Sequence, residues 1–261
     1  MDKRATWAAT GAVAATITAA GVAVDRRLGT APAASLAAGT LAAGYLTSTF
    51  APLVPLFGRA VATRTDAGLL ALTFDDGPDP RHTAAISELL AERGHRATFF
   101  VLARAVRARP ALAAVLLAHG HEIASHGDDH RLLAFAAPSE IRRQLVAAEL
   151  AVQEATGRLP APLFRPPHGV RSPWLASVLG QRGYRLCAWH GSVFDTAQPG
   201  ADVIAERVTR LLRPGSVVLL HDGDGTGRGR SRQQTVEALP AILEQVERRG
   251  LRSVRLSELV T

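Results

Sequence analysis

The sequence holds one cysteine, Cys187, and one lysine, Lys3, in 261 residues. A lone cysteine excludes an intrachain disulfide, and its place in the apolar run YRLCAWH predicts a buried, inert thiol. With lysine otherwise absent, arginine supplies nearly all of the positive charge behind the formal net charge of +7. In an Ala- and Gly-rich chain that bias reflects GC-rich coding more than a nucleic-acid surface. Aromatic residues are also scarce, at 5%. No Lys/Arg run is interleaved with them, so a base-stacking platform is missing and nucleic acid is not expected as a partner. The basic balance suits anionic cell-wall or lipid surfaces.

Charge itself is missing from the N-terminal region. Residues 5–24 carry none and sit between Lys3-Arg4 and Asp25-Arg26-Arg27. A second uncharged stretch, 28–58, is broken by Pro32, Pro52 and Pro55, which leaves 33–51 at membrane-spanning length. Both are rich in Ala, Gly and Thr rather than Leu, so the insertion signal is weak. An Ala-rich helical pair packed on the domain, or a cleaved signal peptide for the first segment, are the alternatives. We expect residues 1–64 to form a hydrophobic membrane-anchor region and 65–261 the catalytic domain. If 33–51 alone spans, the domain is extracytoplasmic, the expected arrangement; a hairpin of both segments leaves it in the cytoplasm.

From about Thr65 onward apolar runs alternate with amphipathic stretches. Strands are predicted at 69–74, 97–102, 121–125, 163–165, 185–189, 216–221 and 252–256, with helices between most of them. Two helices are well marked: 138–157 starts at Pro138-Ser139 and ends at Gly157, and 231–250 ends at Gly250. Seven strands alternating with helices predict an α/β fold with a parallel sheet, and a barrel gathers its chemistry at the C-terminal strand ends.

The unusual polar residues keep that phase. The first strand ends in Asp75-Asp76, the third in SHGDDH with His126 and His130, and the fourth in RPPHG with Arg165. The fifth runs into WHGSVFDT with Asp195, and the sixth ends in LLHDGDG with His221 and Asp222. Two histidines four apart are a weak metal signal by themselves. With one carboxylate of Asp75-Asp76 they make two nitrogens and an oxygen, a set suited to a catalytic Zn²⁺-type centre. A cation would also explain two adjacent aspartates at the end of a buried strand. It neutralises one of them, and leaves the other to take a proton from water. Arg165 can pair with that base, and His221 beside Asp195 can be held protonated as a general acid. Metal, base and acid are the parts needed to hydrolyse an amide or ester.

In that order TFDDGP, SHGDDH, RPPHG, WHGSVFD and VVLLHDG resemble the five motifs of the polysaccharide deacetylases with a NodB-homology domain, the family 4 carbohydrate esterases. The resemblance covers about Leu69 to Val260. It implies a distorted (β/α)7 TIM-like barrel that removes N-acetyl groups from an acetylated sugar polymer or oligomer, of the peptidoglycan or chitin type. It further implies Asp75 as base, and Asp76, His126 and His130 as ligands of one divalent metal ion (Zn, with Co or Ni as alternatives). Arg165 would hold Asp75, Asp195 would tune His221, and His221 would protonate the leaving amine. Leu219 would line the acetyl pocket, with His168 and Trp189 facing substrate and the backbone N–H near His168 meeting the oxyanion.

Four positions depart from the family pattern. Gly127 replaces the usual Ser or Thr after the first metal histidine. Ser192 and Thr196 replace the Asp and Trp of Asp-x-x-Asp-Trp around Asp195, and His168 replaces a common Tyr. They bear on substrate identity more than on catalysis. His82, His95, His119 and His121 are expected at the surface or in packing, Asp128 and Asp129 toward solvent, and Asp222 under the Gly-rich loop. Two rival readings are a hydrolase of a non-sugar amide and a catalytically silent carbohydrate-binding protein.

Overall fold

The structure, a computed structural model, describes residues 68–260 together with Thr40, Ala60, Thr63 and Arg64. The expected membrane segments, 5–24 and 33–51, lie outside the described residues apart from Thr40. Among the described residues no helix is long and apolar enough to cross a membrane.

The sheet is wholly parallel. It contains β1 (Leu69–Asp75), β2 (Ala97–Val101), β3 (Glu122–Ser125), β4 (Ala161–Phe164), β5 (Arg185–Leu186), β6 (Gly191–Ser192) and β7 (Val217–His221), in the spatial order β5-β4-β3-β2-β1-β7-β6. Taken as a ring, that order is the sequence order. The ring is open between β5 and β6, so the expected (β/α)7 barrel is a curled sheet with a seam rather than a closed one.

The predicted strand count was right for a partly wrong reason. Gly191–Ser192 was missed as β6, and 252–256 is not a barrel strand. Only Arg252–Ser253 is extended there (β8), pairing in parallel with the first residues of β1. It wedges between β1 and β2: Arg96 N–H donates to the Ser253 carbonyl (2.9 Å) and the Ser253 hydroxyl accepts from Leu72 N–H (3.0 Å).

Eight helices complete the described fold: α1 (Thr83–Glu92), α2 (Ala103–Ala108), α3 (Pro110–Ala118), α4 (Pro138–Thr156), α5 (Leu175–Gln181), α6 (Ala201–Thr209), α7 (Gln233–Arg248) and α8 (Leu256–Leu259). The start of α4 follows from Pro138, whose missing N–H costs nothing in the first turn. Its end follows from Gly157, left-handed at φ 72°. Ile141, Leu145, Ala148 and Val152 recur at helical spacing and bury one face.

Alternation along the strands sorts the core into two layers. Leu70, Leu72 and Phe74 of β1 point outward with Phe99, Ile123, Val218 and Leu220, into a cluster shared with Leu90, Leu116 and Ile242 of the helices. Phe74 and Phe99 stack at 5.1 Å between centroids; truncating either to Ala costs about 3–5 kcal/mol. The opposite parity (Ala71, Phe100, Ala124, Leu163, Cys187, Val217) points inward and is closed below by Leu256 and Leu259 of α8. Cys187 is the buried thiol expected, pushed up to about 12 by burial.

Candidate active site

The inward parity continues to the strand tops. Two residues beyond Thr73 is Asp75, beyond Ala124 is His126, beyond Leu163 is Arg165, beyond Cys187 is Trp189, and beyond Leu219 is His221. Each inward row of the inner core therefore ends in a polar or aromatic residue at the same rim. Asp75 and His221 are register partners on neighbouring strands, so the two lie side by side.

Arg165 is fully buried and donates from one Nη to Asp75 Oδ1 (2.7 Å) and to the Thr73 hydroxyl (2.9 Å). Its guanidinium lies 4.0 Å above the Phe100 ring. Burial raises the Asp75 carboxyl above its ordinary range, and Arg165 offsets this only in part. The result is a carboxylate fixed in place and more basic than in water.

Asp76 leaves the strand with φ 79°, and His130 sits at φ 61°. Both are left-handed conformations that non-glycine residues seldom adopt, and such strain concentrates at functional sites. Asp76 Oδ1 comes 3.1 Å from His130 Nε2 and 3.5 Å from His126 Nε2. The donor atoms of these three residues lie within 4.8 Å of one another. His126 Nδ1 donates to the Arg165 carbonyl (2.7 Å), which leaves Nε2 as the lone-pair nitrogen. Burial, helped by Arg165 for His126 and by the neighbouring histidine for His130, pushes both imidazoles down to about 3. Both are therefore neutral and able to act as ligands.

Asp76 Oδ1 is buried with no hydrogen-bond donor. Burial, together with the adjacent Asp75 charge and against the pull of His221, lifts its carboxyl to about 6. An anionic oxygen buried without a donor, beside two neutral imidazole nitrogens, fits a divalent cation. Gly225 covers this group, and its backbone N–H is among the influences that pull the Asp76 carboxyl down. A Cβ at Gly225 would stand 2.6 Å from both Asp76 Oδ1 and the His130 ring, so no side chain fits there.

On the other side, His221 Nδ1 donates to Asp195 Oδ1 (2.9 Å), and its backbone N–H to Oδ2 (2.8 Å). The Thr235 hydroxyl donates to the same Oδ2 (3.0 Å). Burial alone would push the imidazole down. The Asp195 charge and hydrogen bond, with Asp76 and Asp75 behind them, outweigh it and hold His221 up at about 9. His221 is thus an imidazolium at neutral pH, able to donate from Nε2.

Asp75, Asp76, His126, His130, Arg165, Asp195 and His221 thus meet in one network. His168 is exposed, at φ 60°, with its ring 4.3 Å from that of His130. Trp189 is half-buried, lying over Gly169 and 5.7 Å from the Arg165 guanidinium. Leu219 is buried one inward step below His221.

Some residues escaped sequence reasoning. Thr73 and Thr235 orient Arg165 and Asp195, and Gly225 caps the Asp-His-His group; only the inward parity of Thr73 was readable beforehand. Gln144 of α4 occupies the space that a side chain at Gly127 would take, 2.6 Å from its Cβ position. Its Oε1 accepts from Asp128 N–H (2.6 Å) and its Nε2 donates to Asp129 (2.9 Å). A glutamine from a distant helix thereby pins the loop between the two histidines. Asp128 is correspondingly buried rather than solvent-facing, paired with Arg107 (2.6 Å) and Arg143 (3.0 Å). Asp222, also buried, accepts from the Thr83 hydroxyl and abuts Gly77 behind Asp76.

Proteins similar to this chain in sequence and in fold are known. The polysaccharide deacetylase family model matches residues 62–187. A peptidoglycan-N-acetylglucosamine deacetylase of Bacillus cereus is 34% identical over 194 residues, covering 74% of this chain and 88% of that protein. A chitooligosaccharide deacetylase of Bradyrhizobium sp. is 33% identical over 218 residues, 79% of this chain and 98% of that one. Among solved structures, a peptidoglycan N-acetylglucosamine deacetylase superposes with a TM-score of 0.72 at 29% identity, covering 77% of this chain and 92% of the other. A family 4 carbohydrate esterase from Streptomyces lividans, in complex with acetate, gives 0.66 at 26% identity, with 76% and 98% covered.

Proposed function

The chain belongs to the polysaccharide deacetylase family, and from that premise we propose that it hydrolyses the N-acetyl group of N-acetylglucosamine residues in an oligosaccharide or glycan strand of the peptidoglycan or chitin type. What carries the reading is the juxtaposition of an Arg-held carboxylate, an Asp-His-His cluster and a carboxylate-held imidazolium at one rim.

Asp76, His126 and His130 are the residues that would hold a divalent ion, with Zn²⁺ the best match to two imidazoles and one carboxylate. When bound, such an ion supplies Lewis acidity, polarising the acyl oxygen and acidifying water. Asp75 then serves as general base. It removes a proton from the water whose oxygen attacks the acetyl carbon, and Arg165 holds its second oxygen away from that role. The backbone N–H at His168 is assigned to the developing oxyanion. His221 donates its Nε2 proton to the amide nitrogen as the C–N bond breaks. Acetate and a free amine leave, and transfer of the Asp75 proton to His221 restores the ionised carboxylate and the imidazolium. Asp195, itself fixed by Thr235, keeps His221 oriented and charged. Leu219 and Trp189 are assigned to the walls of the acetyl pocket.

The N-terminal uncharged segments support membrane anchoring, with the catalytic domain on the outer side where its polymer would be. The deciding experiment is acetate release from N-acetylglucosamine oligomers by the full chain, after chelation and after Zn²⁺ or Co²⁺ is restored. Metal-restored release that Asp75→Asn abolishes is expected; release insensitive to both would overturn the assignment.

A further inference from the structure

We propose that the site continues into an arginine-walled groove that binds a carboxylate on the sugar next to the one deacetylated. This rests on the deacetylase reading above and resolves it toward glycans of the peptidoglycan class, in which alternate sugars bear a lactyl carboxyl, free as a carboxylate where no stem peptide is attached; chitin-type oligomers bear none.

The groove has a volume of about 520 Å³, and Asp76 is part of its wall, so it opens directly beside the Asp-His-His group. That volume admits a sugar-sized substituent. Its charged lining is Asp76, Asp79 and Asp224 against Arg81, Arg104 and Arg109, which looks balanced until each partner is traced. Asp79 is taken by Arg81, whose Nη2 lies 2.9 Å away. Asp224 faces Arg232, whose Nη2 lies 3.9 Å away, and accepts from Thr226 N–H and hydroxyl and from Arg230 N–H. Asp76 faces the two histidines. Arg104 and Arg109 have no carboxylate within ion-pair distance among the described residues. Arg104 donates to the Gly225 carbonyl (2.5 Å) and Arg109 to that of Ala108 (2.6 Å), which leaves most donors of each guanidinium unused.

The facing wall is the Gly-rich loop, and it is bare for a reason. Gly223 has no room for a Cβ, which would stand 2.5 Å from the Asp76 carbonyl oxygen, and a Cβ at Gly227 would come 3.8 Å from Arg104 Nη1. A longer side chain at Gly227 would stand against the Arg104 guanidinium. Two uncompensated planar forks along a bare wall suit a carboxylate, which they can bind with two parallel N–H···O bonds.

The test compares kcat/KM for acetate release from a peptidoglycan-type tetrasaccharide with free carboxylates and from the same molecule with its carboxyls converted to methylamides. The wild-type protein is expected to prefer the carboxylate form about tenfold at low salt, an increment typical of a charge-assisted hydrogen bond. That preference should fall toward unity in Arg104→Gln plus Arg109→Gln, and at 0.5 M salt. Arg109→Gln alone, at an exposed position, guards against a folding defect and should lose part of the preference. Equal rates on both molecules, or a preference that survives both substitutions, would overturn the groove. If neither molecule releases acetate, the deacetylase reading fails separately. The groove is then judged by calorimetric binding of the same pair: carboxylate-dependent binding keeps it, and indifference removes it.

Discussion

Replacing Asp195 with asparagine changes one charge and almost no volume, and it targets the group that holds His221 protonated. Burial is the largest influence on this imidazole and lowers it; Asp195 is the largest of those that raise it, to about 9 from an ordinary 6.5. Without the Asp195 charge the burial effect should win, bringing His221 to 6.5 or below. A fall of about 2.5 pH units corresponds to roughly 3 kcal/mol of differential interaction. His221 titrates above its unfolded value, so its contribution to stability is complete below about 6.5 and is lost as pH rises through about 9. The variant should therefore be about 3 kcal/mol less stable at pH 6, a deficit that shrinks at pH 10. The direct assay is an NMR titration of ¹⁵N-histidine-labelled protein in chelator, with urea midpoints at pH 6 and 10. In the metal-loaded enzyme the alkaline limb of kcat/KM should move downward in the variant. In the wild type that limb should lie below 9, because a cation held by Asp76 would cancel one of the charges that raise His221. An unmoved His221 titration, or an activity loss uniform across pH, would refute the assignment of Asp195 as the residue that tunes the acid.

Asp75→Asn should lower acetate release by about 10²–10⁴-fold while leaving zinc stoichiometry intact; loss of zinc as well would mean that Asp75 is a ligand. Arg165→Met leaves a buried carboxylate unpaired and should cost about 3–5 kcal/mol in urea unfolding. Combining it with Asp75→Asn should recover much of that, and strict additivity would contradict the pairing. Metal at 100 times its Kd should stabilise the chain by about 2.7 kcal/mol, read as a rise in Tm that His130→Ala abolishes. Gly127→Ala meets both φ 86° and the Gln144 amide. It should destabilise the protein by about 1–3 kcal/mol, more than the same change at the exposed helix position Gly180.

How much of this was visible beforehand differs from strand to strand. β1, β2 and β7 have five to seven residues, enough to show an apolar run, and their ends were placed within about a residue. β5 and β6 have two residues each. Two residues cannot display alternation, so β5 was drawn too long, β6 was missed, and its place in the count fell to 252–256. Asp75, Asp76, His126, His130, Arg165, Asp195 and His221 were legible because each interrupts or ends an apolar run with a polar group. Thr73, Thr235 and Gln144 were not, because a threonine in a strand or a glutamine in a helix is unremarkable until tertiary contacts give it a partner. Asp128 was misjudged for the same reason: its arginines, 21 and 15 residues away, come from other elements.

β1 stands in the middle of the sheet, yet its partner β7 comes from late in the chain: the Thr73 hydroxyl donates to the Val218 carbonyl across 145 residues. During synthesis Asp75, the proposed base, therefore leaves the ribosome long before His221, the proposed acid. At ordinary translation speeds the delay is about 7–30 s. Through that interval Asp75 lacks at first both Arg165 and His221, and then His221 alone. On the proposed mechanism the site is complete only near the end of translation, when β7 docks against β1.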